Sequence, residues 1–107
     1  MEVIKAKSEG LRFSLSREGK EIARAYLFLM YNDLHPEPFG LLEDVFVEET
    51  YRKQGLGTEL VHQVIMAAKE KKCYKLICTS RHSRPLVHAW YGKLGFKDYG
   101  KEFRMDL

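Results

Sequence analysis

The sequence is poor in the residues that mark secreted, membrane or fibrous proteins. Two cysteines and three prolines occur in 107 residues. Cys73 and Cys78 are separated by four residues and have no histidine pair beside them, so they make a poor zinc site and read as reduced thiols. No metal is expected. No apolar run approaches the roughly 20 residues of a membrane span, and the opening "MEVIKAKSEG" lacks the apolar stretch of a signal peptide. A soluble, cytoplasmic protein is the expectation. Charge of one sign is also scarce: 18 cations against 15 anions leave a net +3, and no block of like charge occurs. That balance suits an anionic ligand without demanding nucleic acid. There is neither repeat nor linker, and the length suits a single domain over residues 1–107.

What is present is a β-rich first half and an alternating second half. "EVIKAKSEG" and "LRFSLSREGK" predict short strands, broken at Glu9-Gly10 and at a hairpin turn over Glu18-Gly19. Residues 21–31, "EIARAYLFLMY", predict a strand entering a sheet interior, and "FGLLEDVFVEE" predicts another whose buried part is Val45–Val47. Leu56, Leu60, Val64 and Ala68, with Val61 and Ile65 beside them, recur at helical spacing over about four turns. "YKLICTS" reads as a strand. Ser83 and Pro85 then open a second helix that Gly95 closes, and "FKDYG" and "EFRMDL" predict two final strands. The fold class is α/β (α+β): an antiparallel meander followed by a βαβα unit.

Between strand and helix stands "YRKQGLGTEL". Glycines at a helix N-terminus suit phosphate, because free N–H groups and the helix dipole meet there and no Cβ blocks approach. An ordinary strand-to-helix turn would use the same residues. A P-loop needs a lysine after Gly57, where Thr58 stands. A dinucleotide fingerprint needs a small residue at Leu60 and an acidic one at the end of "YKLICTS"; neither is there.

"RKQGLG", residues 52–57, matches the Arg/Gln-x-x-Gly-x-Gly/Ala motif of the GNAT acyltransferase superfamily, and "WYGKLGF", residues 90–96, resembles its aromatic-Tyr-x-x-x-Gly-Phe signature. Residues 41–107 carry the resemblance; residues 1–40 match only as a strand meander. It implies a mixed, mainly antiparallel sheet around a central acyl-CoA-binding βαβα unit, with acetyl-CoA as donor and a primary amine, on a small molecule or a protein, as acceptor. Two departures stand out. The helix pair that usually follows the first strand is missing before residue 48, which leaves the acceptor side open or completed by a second subunit, as in a homodimer. Arg84 stands where many relatives carry asparagine.

The resemblance assigns cofactor contact to the backbone of Gln54, Gly55, Leu56, Gly57 and Thr58, with Arg52 and Lys53 adding charge or remaining solvated. Val45, Phe46 and Val47 read as core side chains whose backbone pairs with the pantetheine arm, one N–H serving the thioester carbonyl. Strict alternation puts Glu43 with Leu41 and Val45, where a carboxylate is costly unless used; it is the candidate base, while Asp44 reads as a surface ion pair. Tyr91 is either packing or the acid for the departing thiolate. Trp90 reads as core, His88 as surface or ligand, and Arg81 and Arg84 as solvated or facing the 3′-phosphate. A non-catalytic acyl-CoA sensor remains the alternative function.

Overall fold

A computed structural model describes all residues, Met1–Leu107. Glu18 and Gly19 take positive φ values of 53° and 77°, the backbone that matches a two-residue turn to strand twist. They join β1 (Ser8–Arg17) to β2 (Lys20–Met30), and β3 (Phe39–Val47) returns antiparallel to β2. A 3₁₀ turn (Glu49–Tyr51) and the glycine loop lead into α1 (Leu56–Glu70), which crosses to β4 (Leu76–Ile77), parallel to β3. Then comes α2 (Pro85–Lys93). The sheet order β1-β2-β3-β4 is the expected meander plus crossover.

The core follows from two periodicities meeting. Along β2, Ala23, Ala25, Leu27 and Leu29 alternate onto one face and are each 0% exposed. Against them α1 sets Leu60, Val61, Val64 and Ala68, and β3 adds Leu42. On the opposite face of the sheet stand Arg24, Tyr26, Phe28 and Met30, paired across the strands with Phe46, Glu43, Leu41 and Phe39. No helix precedes Glu49, as the sequence predicts. No helix is long and apolar enough to cross a membrane.

Four expectations fail locally. Gly10 does not break a strand: β1 runs through it, and the Phe28 ring lies where a Cβ on Gly10 would come within 3.0 Å, so this glycine serves close cross-strand packing. Residues 1–7 lie outside any strand. Ser83 does not cap α2; Arg84 holds the cap position without a side-chain bond, and Pro85 sits at the helix start. Finally, residues 97–107 are exposed and form no strands. Phe103, Met105 and Leu107 alternate, so pairing would bury one face only against a sheet edge. One sheet edge, β4, contributes a ladder of two residues and lies across an open space of about 930 Å³ from residues 96–102.

Candidate active site

The site originates in a defect of β3. Its register against β2 slips between Arg24 and Tyr26, and Asp44 has φ 50°, which together make a β-bulge. The bulge resets the alternation. Val45 and Val47 pack toward the core, but Phe46, expected there too, is 37% exposed. Arg24 and Arg52 lie over its ring, at 4.7 and 6.0 Å. Glu43 therefore does not share a face with Val45; its cross-strand partner is Tyr26 and it stands half-buried. Asp44 is the surface ion pair expected of it, accepting from Arg24 Nε at 2.9 Å.

The same bulge turns β3 away from β4. Only Gly40 and Leu41 pair with Leu76 and Ile77, so the β4-facing backbone of residues 43–47 has no partner strand. A wedge opens between the two strands.

At its wide end lies the glycine loop. Gly55, φ 79°, precedes α1, and no side chain caps the helix. The first helical amide with a partner is that of Glu59, donating to Gly55 O at 3.0 Å. The amides of Leu56, Gly57 and Thr58 come before it and have no intrahelical acceptor, at the end where the dipole is positive. Lys53 holds φ 64°, a costly backbone for a residue with a Cβ.

A groove of about 800 Å³ runs from the strand to this helix start. Val45, Phe46, Val47, Arg52, Lys53, Gly55, Leu56, Gly57 and Thr58 all line it. Gln54 does not; its side chain is exposed. Arg52 is partly engaged already, donating from Nε to Val47 O at 2.7 Å. The far wall was not legible in the sequence: Tyr51, Leu86 and Val87 line it together with Arg84 and Trp90. Trp90, read as plain core, donates from Nε1 to Thr58 Oγ1 at 3.0 Å. Nothing in the spacing of residues 58 and 90 announces that contact.

Tyr91 is positioned by the end of its own helix. Gly95, φ 106°, lets the chain reverse; the Phe96 amide then bonds Tyr91 O at 3.0 Å and the Gly95 amide bonds Gly92 O at 3.1 Å. That is a Schellman motif, with its apolar contact supplied by the Tyr91 and Phe96 rings at 5.5 Å. Burial, then the nearby Cys78 and the Glu43 carboxylate, push the Tyr91 hydroxyl up to about 12. Burial and Glu43 push the Cys78 thiol up to about 11. Glu43 on β3 and Cys78 just past the end of β4 thus lie near enough to Tyr91 on α2 to help hold its proton. Neither Glu43 nor Tyr91 lines the groove at the loop; Tyr91 and Cys78 border the larger opening beside β4. His88 Nε2 lies 2.8 Å from Arg81 O and ties down the loop before α2. No three His, Cys, Asp or Glu side chains converge as a metal ligand set would.

A parallel pair that parts after two residues, an uncapped helix start beside it and a tyrosine locked by a Gly-Phe helix end define a class of α/β fold with an open wedge in its sheet. The model of the acetyltransferase (GNAT) family matches residues 2–96, and the chain belongs to that family. It is 39% identical over 69 residues to a glucosamine 6-phosphate N-acetyltransferase of Trypanosoma brucei brucei, a match covering 64% of this chain and 44% of the relative. An aminoglycoside N(6′)-acetyltransferase type 1 of Acinetobacter baumannii is 33% identical over 67 residues, 63% of this chain and 46% of its own. The matches thus span less than half the length of these curated relatives. Among solved structures, a Trypanosoma brucei acetyltransferase superposes with TM-score 0.80 at 29% identity, over 95% of this chain and 70% of the other.

Proposed function

We propose that the protein is an N-acetyltransferase that takes the acetyl group of acetyl-CoA and transfers it to a primary amine. The parting of β3 and β4 beside the uncapped start of α1 carries this reading. The residues fit the donor: the amides of Leu56, Gly57 and Thr58 suit the pyrophosphate, Arg52 and Lys53 add charge, and the edge of Val45–Val47, of which Arg52 Nε occupies the Val47 carbonyl, suits the amide-bearing pantetheine arm through its remaining groups. The thioester, when bound, supplies an activated acetyl group.

The chain's own groups do the rest. An amine is protonated at neutral pH, with a lysine-like pKa of about 10.4, and must lose a proton before it attacks. Glu43, half-buried beside the wedge, takes that proton through water. A strand N–H faces the carbonyl oxygen as charge develops there. Tyr91, held at about 12, keeps its proton throughout the physiological range. A thiol near 8.5 is the stronger acid, so the tyrosine mainly donates a hydrogen bond to the departing sulfur. Orientation in one cleft adds its own advantage.

The relatives are named for glucosamine 6-phosphate and aminoglycosides, which favours a small amine over a protein lysine. A small acceptor needs an enclosing wall, and residues 1–48 offer no helix for it. A homodimer would provide one, with the exposed alternation of Phe103, Met105 and Leu107 pairing along a sheet edge. The free thiols Cys73 and Cys78 suit the cytoplasm. The test is release of coenzyme A thiol over a panel of amino sugars, polyamines and peptides, together with sedimentation. A dimer that acetylates an amino sugar supports the reading. Binding of acetyl-CoA without thiol release from any amine would reduce it to a sensor.

A further inference from the structure

The groove wall contains one bond that the proposed chemistry does not use, between Trp90 on α2 and Thr58 on the first turn of α1. Indole nitrogen is a donor only, whereas a hydroxyl has one proton and two lone pairs. At 3.0 Å the Trp90 N–H therefore occupies a lone pair of Thr58 Oγ1 and leaves the hydroxyl proton unspent. A helical threonine often returns that proton to the carbonyl four residues back. Here the hydroxyl makes no other hydrogen bond within the chain. The indole is partly buried against the core, and its six-membered ring lies beside Gly57, 3.6 Å from where a Cβ on that residue would stand. Trp90, Gly57 and Thr58 all border the groove.

We infer that Trp90 is a positioning residue for the phosphates of the donor, orienting the Thr58 hydroxyl so that its proton joins the free amides of Leu56, Gly57 and Thr58. The inference rests on the acyl-CoA reading and deepens it. It also gives α2 two tasks on adjacent residues, since Trp90 serves the phosphate end of the donor while Tyr91 serves the sulfur end. The acidic partner is a phosphodiester-type anion, and the part of the donor without phosphate should be indifferent to the bond.

Trp90 is the only tryptophan, so its emission reports on the groove directly. Coenzyme A should shift that emission in the wild type, and pantetheine, which lacks the phosphates, should bind more weakly. Should wild type bind both equally, the donor reading itself fails, whatever Trp90 does. Calorimetric titration then follows for Trp90→Phe, which keeps a ring and loses the N–H, and for Thr58→Val and Thr58→Ser. Loss of one hydrogen bond to a charged group predicts about tenfold weaker coenzyme A binding for Trp90→Phe and Thr58→Val. Pantetheine affinity should stay unchanged, Thr58→Ser should restore most of the coenzyme A affinity, and the double variant should be no worse than Thr58→Val alone. Equal losses for coenzyme A and pantetheine in Trp90→Phe, or additive losses in the double variant, would overturn the inference and leave Trp90 as packing.

Discussion

The two ends of the proposed donor groove rest on unequal foundations. All twelve buried residues lie between Ile22 and Ala68, and none lies beyond. The phosphate end is built mainly from β3, the glycine loop and α1, which stand directly on that core, with α2 supplying only its far wall. The sulfur end is built from the edge of β4 and from α2, which buries no residue completely. An anion site needs amides held in fixed directions, and a helix start anchored by Leu60, Val61 and Val64 provides that. Tyr91 depends instead on a local device, the Schellman turn at Gly95, and on half-buried contacts of Trp90, Leu94 and Phe96 with the core. Binding should therefore be more robust than catalysis.

The largest expected effect tests the foundation itself. Leu27 is 0% exposed, and Leu27→Ala should cost about 2–5 kcal/mol through lost transfer energy and a residual cavity. Leu94 is half-buried on α2, and Leu94→Ala should cost about 1 kcal/mol, the exposed side already being able to relax. Denaturant midpoints of the two variants decide it. Equal losses would mean that α2 belongs to the core after all.

A second pair of changes separates the two ends functionally. Tyr91→Phe removes only the hydroxyl, and losing a hydrogen bond to the developing thiolate, worth about 1.5–3 kcal/mol, should slow turnover on the order of 10- to 100-fold, with acetyl-CoA affinity nearly unchanged. Gly57→Asp should do the reverse. A Cβ at Gly57 meets its neighbours at 3.6 Å, an ordinary contact, so the fold tolerates the change while the carboxylate repels phosphate. Thermal shifts with acetyl-CoA should vanish for Gly57→Asp and persist for Gly57→Ala. If Tyr91→Phe turns over at the wild-type rate with a good acceptor, the hydroxyl is packing only.

That contrast also explains what the sequence could and could not reveal. The hairpin at Glu18-Gly19, the four-turn helix and the glycine loop were legible because each is a local pattern whose physics is complete within a few residues. Nine of the ten cofactor residues expected from the motifs and strand line one groove, Gln54 being the one left outside. What stayed hidden depends on distant partners. The bulge at Asp44 shows itself only against β2, and it moved Phe46 to the surface and separated Glu43 from Val45. Arg84 and Trp90 reach the groove only because α2 meets the first turn of α1, where Trp90 bonds Thr58. The expected strands over residues 96–107 do not form: Phe103, Met105 and Leu107 alternate, but no strand pairs with them. Periodicity specifies a preference, and a neighbour is needed to realise it.

Alkaline titration tests whether the sulfur end is as dry as the half-buried Cys78 and Tyr91 imply. Both groups are neutral when protonated, and both lie above their ordinary values of 9.0 and 10.0, at about 11 and about 12. Between those limits the unfolded chain has lost protons that the folded chain retains, so stability falls as pH rises. The melting temperature should decline from about pH 9 to pH 12 and be flat through Cys78 and Tyr91 below that window. Cys78→Ala combined with Tyr91→Phe should flatten the decline. An unchanged slope in the double variant would place the alkaline loss elsewhere.

The smallest effect concerns Lys53, where the fold and the proposed ligand compete for one residue. Its φ of 64° costs a residue with a Cβ roughly 1 kcal/mol or more, yet lysine stands there between Arg52 and the glycine loop. Asparagine tolerates this backbone better and has no charge. Lys53→Asn should therefore leave stability within about 0.5 kcal/mol of the wild type or slightly above it, while weakening acetyl-CoA binding a few-fold. Because the lost interaction is electrostatic and solvent-exposed, that weakening should shrink as salt is raised, the Debye length falling from about 10 Å at 0.1 M to about 3 Å at 1 M. Melting temperature and calorimetric affinity at the two salt concentrations measure both parts. A variant that loses stability but binds acetyl-CoA as before would mean that lysine is held there for the turn, with the phosphates left to the amides of α1.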